Sequence, residues 1–355
     1  MVRYVLINEG DFPMGFNEQL GFGGSWHAFH IHYTSNPNPL LVECLNPLIL
    51  KLRQEQLVND YFFVRYWLEG PHVRLRLRAS VDAASQAIGM LVHRSCSEFF
   101  HRRPAVYTVD SELTHELYRS MFLAEYSAEE WEARYGLDGR MPIQPNNTVQ
   151  VATYLPEITR YGGPCGIRLS EWHFQESSRI VLNLLSRVNM HLRTVTFGIA
   201  AQMMVVMASV FIPRRESLLD FFNGYEEYWA RLYVDSRVDW RGKYERMLSS
   251  GDGSVRSQLQ RVYEFAVGER DLEVSFLVEW RSHCIQLYSR IVELTFKGEL
   301  VFEGGGSGLP VVADDPGQSA RVLLGSYLHM HNNRLGVTPN DEAYLAHVVR
   351  HSLRI

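Results

Sequence analysis

The segment Tyr61–Arg78 gathers arginines on one side of what its side-chain alternation predicts to be a β-hairpin. The alternating basic and apolar positions of its second half are His72, Val73, Arg74, Leu75, Arg76, Leu77 and Arg78. This period of two is typical of a strand with one buried side. The first half is equally rich in aromatic and β-branched residues, and a Glu-Gly-Pro sequence between the halves has the composition of a turn.

The pairing of the two strands decides what the arginines can do. A four-residue loop, Leu68–Pro71, sets Arg65 opposite Arg74. The same register sets Phe63 opposite Arg76. Facing guanidinium groups repel each other unless an anion or a carboxylate lies between them. Two interpretations stay open: a face that binds a polar substrate group, or a solvated face whose arginines are paired with acids of the protein.

Histidines and glycines offer less chemistry. His30 and His32 share one face of a predicted strand, and His329 and His331 are spaced to chelate only if their segment is extended, so no metal site is predicted. The glycine-rich stretch at Gly304–Gly308 has no following Lys-Ser or Lys-Thr pair and is predicted to be a loop. No Rossmann, kinase or Gly-x-Ser-x-Gly motif occurs, and no cofactor is expected.

Composition sets the class of protein in which these residues act. The 355 residues carry a net charge of −5, so no overall basic field indicates nucleic acid as a partner. Four scattered cysteines predict free thiols, and the acidic N-terminal residues do not form a signal peptide, so a cytoplasmic protein is expected. The uncharged stretch Val195–Ile212 is at the lower length limit of a membrane span, and we predict a buried core helix there instead.

The elements that must position these side chains form an α+β fold. An N-terminal antiparallel sheet with the hairpin is followed by a helix near Val81–Phe99, a loop-rich middle and a largely helical C-terminal portion. In the last portion, apolar residues recur at helical spacing to give one continuous buried stripe: Leu277, Trp280, Cys284, Leu287, Ile291 and Leu294.

Four motifs in a fixed order resemble one family. The hairpin pattern FFVRYxxxGPHVRLRLR follows the strand Ser25–Tyr33 and the helix Leu40–Ile49, and YLPEITRYGG at Tyr154–Gly163 and SYLHMHNNRL at Ser326–Leu335 complete the set. Together they are similar to the elimination domain of lantibiotic dehydratases, also called the thiopeptide-type bacteriocin biosynthesis domain. The resemblance runs from Trp26 to Arg350 and implies a single domain over residues 1–355, with inserted loops near 121–153 and 297–319.

The resemblance implies an enzyme that acts on a ribosomally made precursor peptide. Of the family's two chemistries we favour that of the stand-alone thiopeptide pyridine synthases, because the chain begins without a glutamylation domain and is longer than a bare elimination domain. Such enzymes join two dehydroalanines in a formal [4+2] aza-cycloaddition, with loss of water and of the leader peptide. Glutamate elimination from glutamylated Ser or Thr is the alternative, and a non-catalytic scaffold that binds the precursor is a second one.

The candidate site residues follow from this resemblance. Pyridine synthases carry a Ser and a Tyr six residues apart on a helix that lines their cleft, which makes Ser282 and Tyr288 the catalytic candidates, with Gln286 beside them. His329 lies in the C-terminal signature, where elimination domains use a histidine as base. The arginines Arg65, Arg74 and Arg76 are expected to hold the peptide under either chemistry.

Overall fold

The computed structural model describes residues 25–354 apart from 138, 234–241, 243, 246–252 and 304–309. The N-terminal residues and the loop at Gly304–Gly308, about which the sequence makes predictions, lie outside the described residues. The chain divides into two compact units, Met1–Pro156 and Glu157–Ile355, and each is described by itself. The single domain expected from the sequence stays a prediction.

An antiparallel sheet forms the centre of the first unit, as predicted. Its strand order is β2-β3-β1-β4. The strands are β1 Trp26–His32, β2 Val58–Tyr66, β3 His72–Ala79 and β4 Thr148–Ala152. The helical elements of this unit are Pro37–Pro39, π-helical Leu40–Leu45, α1 Asn46–Gln54, the 3-10 turn Asp82–Ala84, α2 Ser85–Arg102, α3 Ser111–Glu125 and α4 Ala128–Tyr135.

One face of the sheet is apolar and buried. Phe29 of β1 and Leu75 of β3 lie directly opposite each other and are almost fully buried. The Phe29 ring meets His93 of α2 edge-on at 6.4 Å, so this helix covers the face. Burial of each large apolar side chain contributes about 1.5–3 kcal/mol to folding. The alternate residues of β1 and β3 point to the opposite face, which carries His30, Arg74 and Arg76.

The hairpin is confirmed, but its predicted register is wrong by one residue. Tyr66 pairs with His72, so the loop has five residues rather than four. Glu69 and Gly70 both have positive φ, 59° and 110°, and the Gly70 N–H donates to the Trp67 carbonyl at 2.9 Å. This five-residue turn includes Trp67. A shift of one residue in the pairing of β2 with β3 changes which β2 side chains share a face with the β3 arginines.

The middle of the first unit contains two helices where the sequence analysis predicts loops. Asp110 caps α3 by accepting from the backbone of Glu112, and Ser127 and Glu130 form a capping box at the start of α4. The two helices share a small core with the hairpin loop and the chain after α4: Leu68, Tyr118, Phe122, Trp131 and Met141.

The second unit is helical, in agreement with the predicted fold class. Its helices are α5 Gly163–Arg187, α6 Arg193–Phe211, α7 Arg215–Tyr233, α8 Ser254–Val267, α9 Ser275–Phe296, α10 Pro316–Leu335 and α11 Pro339–Leu353. A short hairpin, β5 Val301–Glu303 and β6 Pro310–Val312, separates α9 from α10.

The apolar helix α6 is the core helix that the sequence predicts. It is long and apolar enough to cross a membrane, yet most of its residues are buried inside the protein. The α9 residue Trp280 donates its indole N–H to the Met203 carbonyl of α6 at 3.0 Å. Helices that pack around α6 therefore account for its composition.

Candidate active site

The first candidate region is the polar face of the sheet, defined by six side chains. These are His30, His32, His72, Arg74, Arg76 and Gln150. Arg74 Nε lies 3.3 Å from His72 Nε2, and the Arg74 guanidinium sits 3.5 Å above the Tyr66 ring. Arg76 Nη2 lies 3.5 Å from His30 Nε2. Both arginines therefore contact imidazole or aromatic rings of the same face.

The charge of this face comes from its arginines. Burial, helped by Arg74 and Arg76, lowers the pKa of His30 to about 3. Burial also lowers the pKa of His72 to about 2, against a bond to the Gly70 carbonyl that raises it. Both imidazoles are therefore neutral at neutral pH. Guanidinium groups beside neutral rings suit the binding of peptide carbonyls or carboxylates.

Arg65 lies on the other face of the sheet. It pairs with Val73, not with Arg74, and its guanidinium donates to Asn38 Oδ1 at 2.8 Å. Burial lowers the pKa of Arg65 to about 10. The predicted pair of facing guanidinium groups, Arg65 with Arg74, is wrong because the hairpin loop is one residue longer than assumed. Phe63 is likewise opposite Leu75 rather than Arg76.

This separation of the arginines predicts different effects of two matched variants. We expect Arg74→Ala to raise KM for the peptide substrate about tenfold, the value of one charge-assisted hydrogen bond of about 1.5 kcal/mol. Arg65→Ala is expected to lower Tm and to leave KM unchanged, because the Arg65 guanidinium donates to Asn38 and not to a group of the polar face. Steady-state kinetics and thermal unfolding of both variants test this. A KM effect confined to Arg65→Ala would contradict it.

The second candidate region is helix α9. Ser282 and Gln286 are exposed, whereas Trp280, Cys284 and Ile291 are buried, as the predicted stripe requires. At the end of the stripe Leu294 is only half-buried, and the neighbouring Thr295 is buried instead.

Tyr288 lies at the edge of that stripe. It is half-buried and meets the Phe211 ring of α6 edge-on at 5.7 Å. Because Ser282 is six residues away, the two side chains leave the helix about 120° apart and about 9 Å apart along its axis. The structure thus has both candidates on one helix, pointing to different sides. A substrate that contacts both hydroxyls has to extend along α9.

The third candidate group surrounds His329 of α10. Its Nδ1 lies 2.7 Å from Glu342 Oε1, and its ring stacks on Trp229 at 4.5 Å. The His329 side chain is 21% exposed and that of Glu342 is 0% exposed. The neighbouring His331 turns elsewhere and meets Ser177 Oγ at 2.8 Å. A partly exposed imidazole beside a buried carboxylate is an arrangement that can accept a proton from a ligand.

Comparison with protein families identifies the chain. The family model described as lantibiotic biosynthesis dehydratase C-term matches residues 26–353. The chain belongs to this family. The resemblance seen in the sequence motifs is thereby confirmed, and members of this lantibiotic dehydratase family act on ribosomally made precursor peptides. Among curated proteins, none matches the chain at a significant level.

Two solved structures have a similar fold. The structure titled "Pyridine synthase, TbtD, from thiomuracin biosynthesis" has a TM-score of 0.71 and 21% identity, over 92% of this chain and 97% of that one. The crystal structure of TsrL has a TM-score of 0.59 and 17% identity, over 92% of this chain and 94% of that one. At these identities the similarity is one of fold.

Sequence reasoning missed the partner of the lantibiotic dehydratase signature histidine. Glu342 follows Asp341 in the first turn of α11, where carboxylates commonly cap a helix or meet its dipole. Asp341 does form a capping box with Thr338, but Glu342 turns inward to His329. A search for a carboxylate one helix after the HM motif finds Asp341 and Glu342 alike, so the sequence alone does not select Glu342.

A buried polar cluster in the second unit was also missed. His173 Nδ1 lies 2.9 Å from His283 Nε2, and His331 stacks on Trp280 at 4.2 Å. Burial lowers the pKa of all three histidines. In the part of the chain that the structure describes, no three His, Cys, Asp or Glu side chains are grouped as they would be around a metal ion.

Proposed function

We propose that this chain is a pyridine synthase, which closes a macrocycle in a ribosomally made precursor peptide. The observation that carries the proposal is the fold, which follows that of a pyridine synthase over 92% of this chain. The Ser282 hydroxyl and the Gln286 amide support it, because both are exposed on one side of α9, a long helix. We also propose a cytoplasmic location, in keeping with four free cysteines.

The reaction that we propose joins two dehydroalanines in a formal [4+2] aza-cycloaddition and then loses water and the leader peptide. The diene partner is the iminol tautomer of an amide, which a hydroxyl such as that of Tyr288 or Ser282 stabilises by hydrogen bonding. Gln286, exposed one turn after Ser282, is proposed to hold the peptide backbone. Holding two distant alkenes in a near-attack geometry can lower the activation free energy by about 7–11 kcal/mol. Binding of the remote leader is proposed to hold the peptide in that geometry.

Glutamate elimination is the second candidate function, and the group around His329 is the observation that favours it. Elimination needs a base for the α-proton of a glutamylated residue, and His329 beside the buried carboxylate of Glu342 has the geometry of one. Arg74 and Arg76 of the first unit are proposed to bind the precursor peptide under either function.

Intact mass spectrometry separates the candidates. The enzyme is incubated with a precursor peptide that carries two dehydroalanines, and in parallel with the glutamylated form of the same peptide. Pyridine formation gives a cyclic product and a leader ending in a carboxamide. Elimination gives free glutamate and a linear dehydrated peptide. A peptide of unchanged mass that co-purifies with the protein would indicate a scaffold and would overturn both enzymatic proposals.

The two hydroxyls on α9 predict kinetic effects of single variants. Tyr288→Phe and Ser282→Ala are each expected to lower kcat by about ten- to a thousandfold, with a smaller effect on KM, because each removes one polar stabilising group. Ser257→Ala, at an exposed serine of α8, serves as the matched control and should leave kcat unchanged. Wild-type rates in both α9 variants would remove these hydroxyls from the mechanism.

A further inference from the structure

The His329 ring has one buried side and one exposed side. Its Nδ1 atom faces Glu342 Oε1 at 2.7 Å, and that carboxylate is 0% exposed. The stacked indole of Trp229 fixes the plane of the ring. The side chain as a whole is 21% exposed, and its Nε2 is not among the fully buried side-chain nitrogens without a partner, whereas Nε2 of His347 is.

The carboxylate determines which nitrogen carries the proton. A neutral imidazole has one N–H donor and one acceptor, and an ionised carboxylate only accepts. The bond to Glu342 therefore requires the proton on Nδ1 and leaves the lone pair on Nε2. A free imidazole has no such constraint.

Other donors hold the carboxylate in place. The hydroxyl of Tyr225 and the amide of Asn332, the latter at 3.2 Å, both donate to Oε2 of Glu342. The two oxygens of this side chain are thus occupied differently, with His329 at one and two donors at the other. A buried carboxylate needs such partners to offset its desolvation.

We propose that Glu342 is a positioning residue: it holds His329 in the tautomer whose Nε2 accepts a proton from the substrate. This inference rests on the proposed function. In the last step of pyridine formation, Nε2 takes a proton from a ring carbon and the C–H electron pair completes the aromatic ring. The C–N bond to the leader breaks, and that nitrogen takes a proton to give a carboxamide. In glutamate elimination the same nitrogen would take the α-proton while the C–O bond to glutamate breaks.

A second Glu–His pair in the same unit has no exposed ring and provides a matched control. His347 Nδ1 lies 3.0 Å from Glu226 Oε1, and both side chains are 1% exposed. Arg350 Nε donates to the other oxygen of Glu226 at 2.8 Å. A ring buried to this degree cannot reach a peptide substrate. We therefore assign the Glu226–His347 pair to stability.

The variant Glu342→Gln tests the inference, because it changes the tautomer rather than the shape. The amide oxygen of glutamine is expected to take the Oε2 position, where it can accept from both Tyr225 and Asn332. Its NH₂ group then faces His329 Nδ1, which must become an acceptor, and the proton moves to Nε2. We expect kcat to fall about 10²- to 10³-fold with KM within about twofold. Glu342→Asp, which keeps a carboxylate, should retain most of the activity.

Nitrogen-15 NMR of the histidine rings at alkaline pH reads the tautomer without any substrate. We expect the His329 proton on Nδ1 in the wild-type protein and on Nε2 in Glu342→Gln. In Glu226→Gln the His329 tautomer should be unchanged. That control variant should lose stability but keep its kcat per folded molecule. A wild-type His329 with its proton on Nε2 would overturn the inference, as would an inverted tautomer with wild-type kcat. A failure of the proposed function looks different: the wild-type enzyme forms no ring, while the NMR spectra still decide whether Glu342 sets the tautomer.

Discussion

Replacing His329 with asparagine is expected to lower kcat by about 10²- to 10⁴-fold, the contribution of a positioned acid or base. The amide nitrogen of asparagine can occupy the position of Nδ1 and keep the bond to Glu342 Oε1, which is 2.7 Å in the wild-type protein. What the variant lacks is the exposed side of the ring with Nε2. The loss should therefore fall on kcat, with little change in KM.

Two measurements make this result specific to His329. His191→Asn, at an exposed histidine that precedes α6, should leave kcat unchanged. Mass spectrometry of the His329→Asn reaction mixture should show unreacted peptide or a cyclised peptide that still carries its leader, since the proposed base acts on the last step. A wild-type rate of leader release in this variant would exclude His329 as the base of pyridine formation, and a wild-type rate of glutamate release would exclude it as the base of elimination.

The hairpin illustrates what strand periodicity can and cannot predict. Alternation of Arg74 and Arg76 with Leu75 correctly assigned the polar and buried faces of β3, because side chains along a strand alternate strictly. It did not determine the pairing with β2, which depends on the length of the loop. The positive φ of Glu69 and Gly70 widens that loop, and a non-glycine residue in this conformation is hard to foresee.

Helix periodicity had a similar reach in the second unit. It predicted the exposed side of α9 at Ser282 and Gln286 because position around a helix follows from spacing alone. Contacts between helices do not follow from the spacing of residues along one helix. Glu342 reaches His329 because Gly336, with φ 88°, ends α10 and lets α11 begin beside it. No local pattern distinguishes Glu342 from the helix-capping carboxylate at Asp341.

The helices α3 and α4 could have been predicted. Asp110 and the Ser127–Glu130 capping box are local signals that the sequence displays, and Gly136 follows the last turn of α4. The prolines at 142 and 145 lie after both helices rather than within them. The prolines therefore interrupt neither helix, and the capping residues are the stronger local signal.

Acid should destabilise the second unit steeply, because it buries three uncharged histidines. His173, His283 and His331 lie around Trp280, and burial lowers the pKa of each, that of His283 to about 3. In the unfolded chain an imidazole has a pKa of about 6.5. The unfolded state therefore binds more protons than the folded state at any pH between these values.

The sign and size of the effect follow from this difference. The stability that the neutral imidazoles contribute is fully present above pH ~6.5 and is lost as pH falls below that value; for His283 the loss continues to a pH of about 3, its pKa in the folded protein. Well below pH 6.5, each histidine changes the free energy of unfolding by about 1.4 kcal/mol per pH unit, and three change it by about 4. Domains have about 5–15 kcal/mol in total, so we expect the second unit to unfold within about one to four pH units below pH ~6.5.

Urea unfolding at several pH values between 8 and ~5 measures this slope, with hydrogen exchange of peptides from α5 and α9 to report on the second unit. His283→Gln removes one titrating group and can keep a bond to His173 Nδ1, so its slope should be smaller by about 1.4 kcal/mol per pH unit. His101→Gln, at an exposed histidine of α2, should leave the slope as it is. Equal slopes in wild type and His283→Gln would mean that His283 is already charged in the folded protein, which its 6% exposure and its contact with Trp280 argue against.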